Sequence, residues 1–237
     1  MTIDLVAAAK VTLSLRITGV RNDGYHLIDA EMVTVDLHDT LRVDTAGSDV
    51  SVIGHDAGVV LGSDNLVTRA LAVVDRRAGV AITKRIPAGA GLGGGSADAA
   101  AILRWAGVSD LAVAASLGAD VPFCTIGGRA RVTGIGECVE PLPFQPRALT
   151  LITPDFGCST PAVYAMWDHL GGPTGDHHND LEPAALAVEP RLATVRDRIS
   201  AETGIRPRLA GSGSTWFLEG AHVVEGGIVV ATTPARA

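Results

Sequence analysis

Residues 87–101, Pro-Ala-Gly-Ala-Gly-Leu-Gly-Gly-Gly-Ser-Ala-Asp-Ala-Ala-Ala, are the part of this chain best suited to chemistry. A glycine cluster lets the backbone bend and approach a ligand closely, and its N–H groups converge at the positive end of the helix that the alanines start. That arrangement binds an anion, and phosphate is the expected occupant. Ser96 is a natural N-cap whose hydroxyl serves either the helix or a ligand. No Gly-Lys-Ser/Thr follows, so this is not a Walker loop. Residues 89–94 spell GxGxxG, and Asp110 lies at roughly the spacing of a ribose contact, yet no strand-like run leads into it, which argues against a dinucleotide site. A plain flexible turn is the other reading of any glycine run. The small residues Ala97, Ala99, Ala100 and Ala101, ready for close helix packing, weigh against it here.

The elements that must hold this loop read as α+β. Apolar runs at 5–17, 27–36, 40–43 and 50–53 predict early strands. Residues 65–78 predict an amphipathic helix with Leu66, Ala70, Leu71 and Val74 on one stripe, and 80–85 predict the strand that enters the loop. Trp105 and Gly107 end the helix after it. A second unit is expected from about Pro146, giving domains 1–146 and 147–237. It holds a strand at 149–153 and a helix capped by Thr160 with Pro161 in its first turn. A helix at 190–203 with Gly204 as its C-cap and a second glycine turn within 208–218 complete it.

A chain of 237 residues with 47% hydrophobic and 19% charged residues is globular. Its net charge of −7 argues against nucleic acid or an anionic membrane as a partner, while Lys10, Lys84 and Arg85 supply local positive charge for a phosphorylated ligand. Cys124, Cys138 and Cys158 stand singly, which indicates neither disulfides nor a zinc site. With no signal-peptide pattern and no apolar run near the ~20 residues of a membrane span, the expected location is the cytoplasm. The adjacent His177 and His178 lie in a Gly/Asp loop and read as a solvated tip rather than a metal site.

Several motifs in order carry a resemblance over nearly the whole chain: Ala9-Lys10-Val11-Thr12-Leu13, Asp23-Gly24-Tyr25-His26, Asp64-Asn65-Leu66, Gly91-Leu92-Gly93-Gly94-Gly95-Ser96, Gly118-Ala119-Asp120-Val121-Pro122-Phe123, Asn179-Asp180-Leu181-Glu182 and Gly211-Ser212-Gly213-Ser214. The chain resembles the 4-diphosphocytidyl-2-C-methyl-D-erythritol kinases of the GHMP superfamily. The resemblance implies a nucleotide-binding α/β N-terminal domain, a smaller ferredoxin-like C-terminal domain, and phosphorylation of a CDP-linked methylerythritol by ATP with Mg²⁺. Asp120 would then take the proton of the attacking hydroxyl, and Lys10 would stabilise charge at the reacting centre. The ATP site would comprise Asn65, Lys84, Pro87, Gly89, Gly91, Leu92, Gly93, Gly94, Gly95 and Ser96. Thr12, Tyr25, His26 and Tyr164 would meet the substrate, with the two tyrosines on opposite faces of the cytosine and His26 at its edge. Read without the resemblance, Lys10 snorkels to solvent, Asp120 is a turn or cap residue, Lys84 is a solvated charge, and Asp98 serves only the helix dipole.

The family's usual Pro and Asn are replaced by Ala8 and Thr12, and a hydroxyl cannot reproduce a carboxamide's paired donor and acceptor. The chain is also short. Residues 105–118 leave room for about one helix where two are expected, and 219–226 are too few for the usual helix before the last strand. Two further functions remain open at this point, a GHMP kinase for another small alcohol and a non-catalytic metabolite binder.

Overall fold

The computed structural model describes residues 1–54 and 62–235. β1 (Thr2–Val20) and β2 (His26–Asp44) form a long antiparallel pair joined by a tight turn. β3 (Val50–Gly54), α1 (Leu66–Val73) and β4 (Gly79–Lys84) make a parallel crossover, and α2 (Gly94–Trp105) follows the glycine loop. After α3 (Leu111–Leu117) and α4 (Val121–Ile126) come β5 (Arg129–Gly134) and β6 (Cys138–Pro141). The sheet runs β3-β4-β2-β5-β6, with β1 also paired to β2.

β7 (Ala148–Ile152), β8 (Arg208–Leu209), β9 (Trp216–Glu219) and β10 (Gly227–Ala231) form a second sheet in the order β10-β7-β9-β8. Its helices are α5 (Thr160–His169), α6 (Glu182–Val188) and α7 (Arg191–Thr203). The 4-1-3-2 order, antiparallel at every pairing, is that of a ferredoxin-like sheet.

The return from β9 to β10 holds no helix and is a loop of residues 220–226. Short strands make this possible. Glu219 lies opposite Leu149 and Gly227 opposite Ile152, so the loop climbs three residues and crosses two strand spacings, about 14 Å in all. Seven extended residues reach about 23 Å. Thr150 Oγ1 anchors the loop, donating to Gly220 O (2.8 Å) and accepting from His222 N (2.9 Å).

Several boundaries differ from those expected. The separate strands at 27–36 and 40–43 are one strand, because Asp39 points inward and continues β2 instead of breaking it. α1 ends at Val73 rather than 78, followed by Asp75 with a positive φ of 49°. Ser159, not Thr160, occupies the N-cap position of α5, and Thr160 Oγ1 instead bonds Ser212 Oγ (2.8 Å). Between the sheets lies an apolar seam of Ala9, Val11 and Leu13 from β1, Val33 and Val35 from β2, and Leu149, Leu151, Phe217 and Val230 from the second sheet. Ile86, Ala90 and Leu92 of the glycine loop are part of it.

Candidate active site

Alternation along β1 sends Ala9, Val11 and Leu13 into the seam and Lys10 and Thr12 to the opposite face, where they line a cavity of about 880 Å³. The pairing of β1 with β2 is irregular between Ala8 and Lys10, and there Lys10 N leaves the ladder to donate to Leu92 O (3.0 Å). Such irregularities re-aim a side chain. Lys10 is only 6% exposed, so the snorkelling reading does not hold. Its Nζ lies 3.2 Å from Asp120 Oδ2 and donates to Thr12 Oγ1 at 3.2 Å.

Asp120 precedes α4, yet its side chain makes no capping bond. The carboxylate is turned to the cavity and to Lys10 instead of serving the helix, which sets aside the cap reading.

The glycine loop crosses above this pair. Gly89, Gly91 and Gly93 have φ of 70°, 76° and 70°, a region costly for other residues. Close approach adds a second constraint. A Cβ on Gly93 would stand 2.8 Å from Lys10 Cγ, and one on Gly91 would stand 2.5 Å from Gly213 O of the second glycine turn. Gly93 is the N-cap of α2, so Ser96 is not the cap; it sits one turn into the helix and lines the cavity. Leu92 lines the cavity and is buried in the seam as the loop's anchor. Pro87, Gly94 and Gly95 also line the cavity.

Lys84 is buried, not solvated. It pairs with Asp39 and, at 2.8 Å, with Asp98 Oδ2. Burial works to depress the lysine's pKa, but the two carboxylates outweigh it and hold the pKa above its ordinary value. Burial pushes the Asp98 carboxyl up to about 7, against the opposing pull of Lys84. Asp98 therefore does more than serve the helix dipole. Asp39 Oδ1 also accepts from Ile86 N at 2.8 Å, so the cluster fixes the entry to the glycine loop. Asn65 caps α1, its Oδ1 accepting from Val67 N at 2.8 Å, and it lines the same cavity.

Also on the cavity wall, Tyr25 is 58% exposed on the turn between β1 and β2. His26 packs against Tyr164 (ring centroids 4.8 Å apart) and the edge of Trp167 (5.4 Å), and its Nε2 lies 2.8 Å from Asp168 Oδ1. Burial, with the charge of Asp120 as a smaller contribution, pushes the Tyr164 hydroxyl up to about 12, so it remains a neutral phenol. Every residue expected at the site lines this one cavity.

Sequence reasoning missed Asp39, Asp168 and the supporting role of Asn179. Asn179 Nδ2 donates to Leu209 O (2.9 Å) and Gly211 O (2.7 Å) and so holds the second glycine turn. A signal for Asp168 existed, since Thr160, Tyr164 and Asp168 recur every four residues on one face of α5. Asp39 gave none, because its partners Lys84 and Ile86 are 45 and 47 positions away in the chain.

Known proteins resemble this chain along its length. The GHMP kinases N terminal domain family matches residues 65–128. A 4-diphosphocytidyl-2-C-methyl-D-erythritol kinase of Ruegeria pomeroyi is 37% identical, with 92% of this chain and 88% of the relative covered. Its counterpart in Paramagnetospirillum magneticum is 38% identical, covering 89% and 86%. A crystal structure of 4-(cytidine 5'-diphospho)-2C-methyl-D-erythritol kinase superposes with a TM-score of 0.75 at 31% identity, covering 97% of this chain and 99% of that one. A homoserine kinase from Cytophaga hutchinsonii, at 19% identity and a TM-score of 0.60, shares the fold. Among the described residues no helix is long and apolar enough to cross a membrane.

Proposed function

The chain belongs to the 4-diphosphocytidyl-2-C-methyl-D-erythritol kinase family, and we propose that its cavity transfers the terminal phosphoryl group of ATP to the 2-hydroxyl of 4-diphosphocytidyl-2-C-methyl-D-erythritol, a step of non-mevalonate isoprenoid synthesis. The observation that carries this reading is the Lys10–Asp120 pair at 3.2 Å, beneath a glycine loop and in the same cavity as Tyr25, His26 and Tyr164. Phosphoryl transfer needs an anion cradle, a cation beside the developing charge and a proton acceptor. Backbone N–H groups of Gly91 to Ser96 serve as the cradle, Lys10 as the cation and Asp120 as the acceptor of the hydroxyl proton. Thr12, already a hydrogen-bond acceptor for Lys10, keeps its hydroxyl proton for the polar arm of the substrate.

Tyr25 and Tyr164 stack on the cytosine, and His26 reads its edge. Asn65 lies at the adenine, with its Oδ1 given to the helix cap. Lys84 acts from below, holding the loop through Asp39 and Asp98.

Mg²⁺ fits this donor set in one manner. No group of three or more His, Cys, Asp or Glu side chains that could hold a metal occurs among the described residues, and Mg²⁺ would be held together with the ATP phosphates, as it commonly is. Ser96 Oγ and the Asp120 carboxylate, both on the cavity wall, are the protein oxygens suited to it. When bound, it neutralises charge across the transferred group.

We place the domain boundary at 146/147, between β6 and β7, with the bridges Val35–Thr232 and Gly127–Ala235 tying the two units together. A cytoplasmic location is part of this proposal. The test is turnover of the CDP conjugate against the same alcohol phosphate lacking cytidine, since remote binding energy positions the reacting atoms. The expected result is a strong preference for the conjugate. Equal efficiency would reduce the assignment to a GHMP kinase for another small alcohol.

A further inference from the structure

Asp168 is placed where helix energetics disfavour it. It is the penultimate residue of α5, at the negative end of the helix dipole, and its carboxylate is half-exposed. Among the described residues its one hydrogen-bonding partner is His26 Nε2, at 2.8 Å. The imidazole is the better buried member, with its side chain 8% exposed and its ring held against Tyr164 and the edge of Trp167. Packing fixes the plane of the ring but does not choose which nitrogen faces which way. The carboxylate does.

An ionised Asp only accepts hydrogen bonds, so Nε2 must carry the proton that lies between them. In a neutral imidazole the other nitrogen, Nδ1, is then a lone-pair acceptor. Nδ1 has no hydrogen-bond partner among the described residues, and the ring lines the cavity. An acceptor at this point matches an amino group and opposes a carbonyl. Cytosine and uracil differ in this respect, the first carrying an exocyclic amine where the second carries a keto oxygen.

We propose that Asp168 is a positioning residue that holds His26 as an Nδ1 acceptor and thereby makes the site select an amino-bearing pyrimidine over a keto one. The inference deepens the function proposed above and rests on its placing the pyrimidine beside His26. The role proposed for Asp168 is exercised through His26, its hydrogen-bonding partner, and not through the Lys10–Asp120 pair.

Two measurements test it. In protein labelled with 15N-histidine, with the His26 signals assigned by their loss in His26→Gln, the neutral ring should be held wholly as the Nε2–H tautomer in wild type and should relax in Asp168→Ala to the mixture of tautomers of a free imidazole, in which Nε2–H still leads. Steady-state kinetics with CDP and UDP conjugates of the same alcohol should show KM for the CDP conjugate rising roughly tenfold in Asp168→Ala, the loss of one oriented polar contact. KM for ATP should not follow, turnover at saturation should fall far less than KM rises, and the preference for CDP over UDP should shrink by a similar factor. Asp168→Asn keeps an oxygen acceptor and should recover part of the selectivity.

An Nδ1–H tautomer in wild type, or an unchanged base preference in Asp168→Ala, would overturn the proposal. Parallel losses for ATP and both conjugates would overturn it too, by showing a merely structural role. If wild type ignored both conjugates, the proposed function would fail on its own, and the tautomer would still decide what Asp168 does to His26.

Discussion

Replacing Gly93 by alanine tests how far the loop and Lys10 depend on each other. Two costs can be worked from the geometry. Gly93 has a φ of +70°, and placing an L-residue there costs roughly 1–2 kcal/mol. For a chain of this length that lowers the melting temperature by about 2–8 °C. The new Cβ would also stand 2.8 Å from Lys10 Cγ, so the lysine stem must retreat by about 1 Å to reach ordinary carbon contact. Nζ of that stem lies 3.2 Å from Asp120 Oδ2, and a misplacement near 1 Å at a reacting centre can lower turnover by as much as ~10²-fold. Gly95→Ala supplies the stability comparison: its Cβ would meet Leu66 Cδ1 at an ordinary 3.5 Å, with no positive φ to oppose it, so its melting temperature should hold. Calorimetry and steady-state kinetics on the two variants read both costs. If Gly93→Ala melted a few degrees lower yet turned over within twofold of wild type, the coupling between loop and lysine would be refuted.

Asp120→Asn keeps the shape of the site but removes the proton acceptor, so both ligands should bind by calorimetric titration while turnover falls roughly 10²–10⁴-fold; near-normal turnover would remove the assigned base. Combined with Lys10→Met, it should be little worse than the more damaged single variant, because the 3.2 Å pair acts as a unit. The buried cluster makes a separate prediction about stability and pH. The Asp98 carboxyl is raised from 3.8 to about 7 in the folded protein, so the native state holds more protons than the unfolded one between those values, and stability falls as pH rises through that window. Asp98→Asn lacks this loss. Urea melts at pH 5 and pH 8 should shift the stability difference in favour of Asp98→Asn at the higher pH, and a difference independent of pH would contradict the account.

The glycine loop was legible because its determinants are local: the glycines that adopt positive φ and the alanines that continue the helix are consecutive in sequence. The meeting of Lys10 with Asp120 was not legible from residue types, since 110 positions separate them and an irregularity between two strands aims the lysine. Only the ordered motifs linked them. β2 was misread for a physical reason, since Leu37-His38-Asp39 has the look of a polar break until Lys84 is placed across from Asp39. A buried charge in the middle of a strand is indistinguishable from a loop residue without its partner. Ser96 was misassigned as the cap because glycine in the left-handed region can begin a helix without any side chain, a choice that propensity ranks lower. The shortened return before β10 was visible as a missing helix, and what made it workable, the brevity of β7, β9 and β10, became clear only from their register.

The burial of Ala90 and Leu92 between the sheets bears on how ligands enter and leave. In a protein whose halves meet only at a polar surface, a wide swing of one half against the other opens the site and leaves each wall intact. Here the glycine loop is itself a wedge in the joint, with Gly91 pressed against the carbonyls of Ala210 and Gly213. Parting the halves would pull the wedge out and undo the shape of the loop in the same movement. Entry along the cavity, past the exposed Tyr25 and the face of α5, leaves that joint intact.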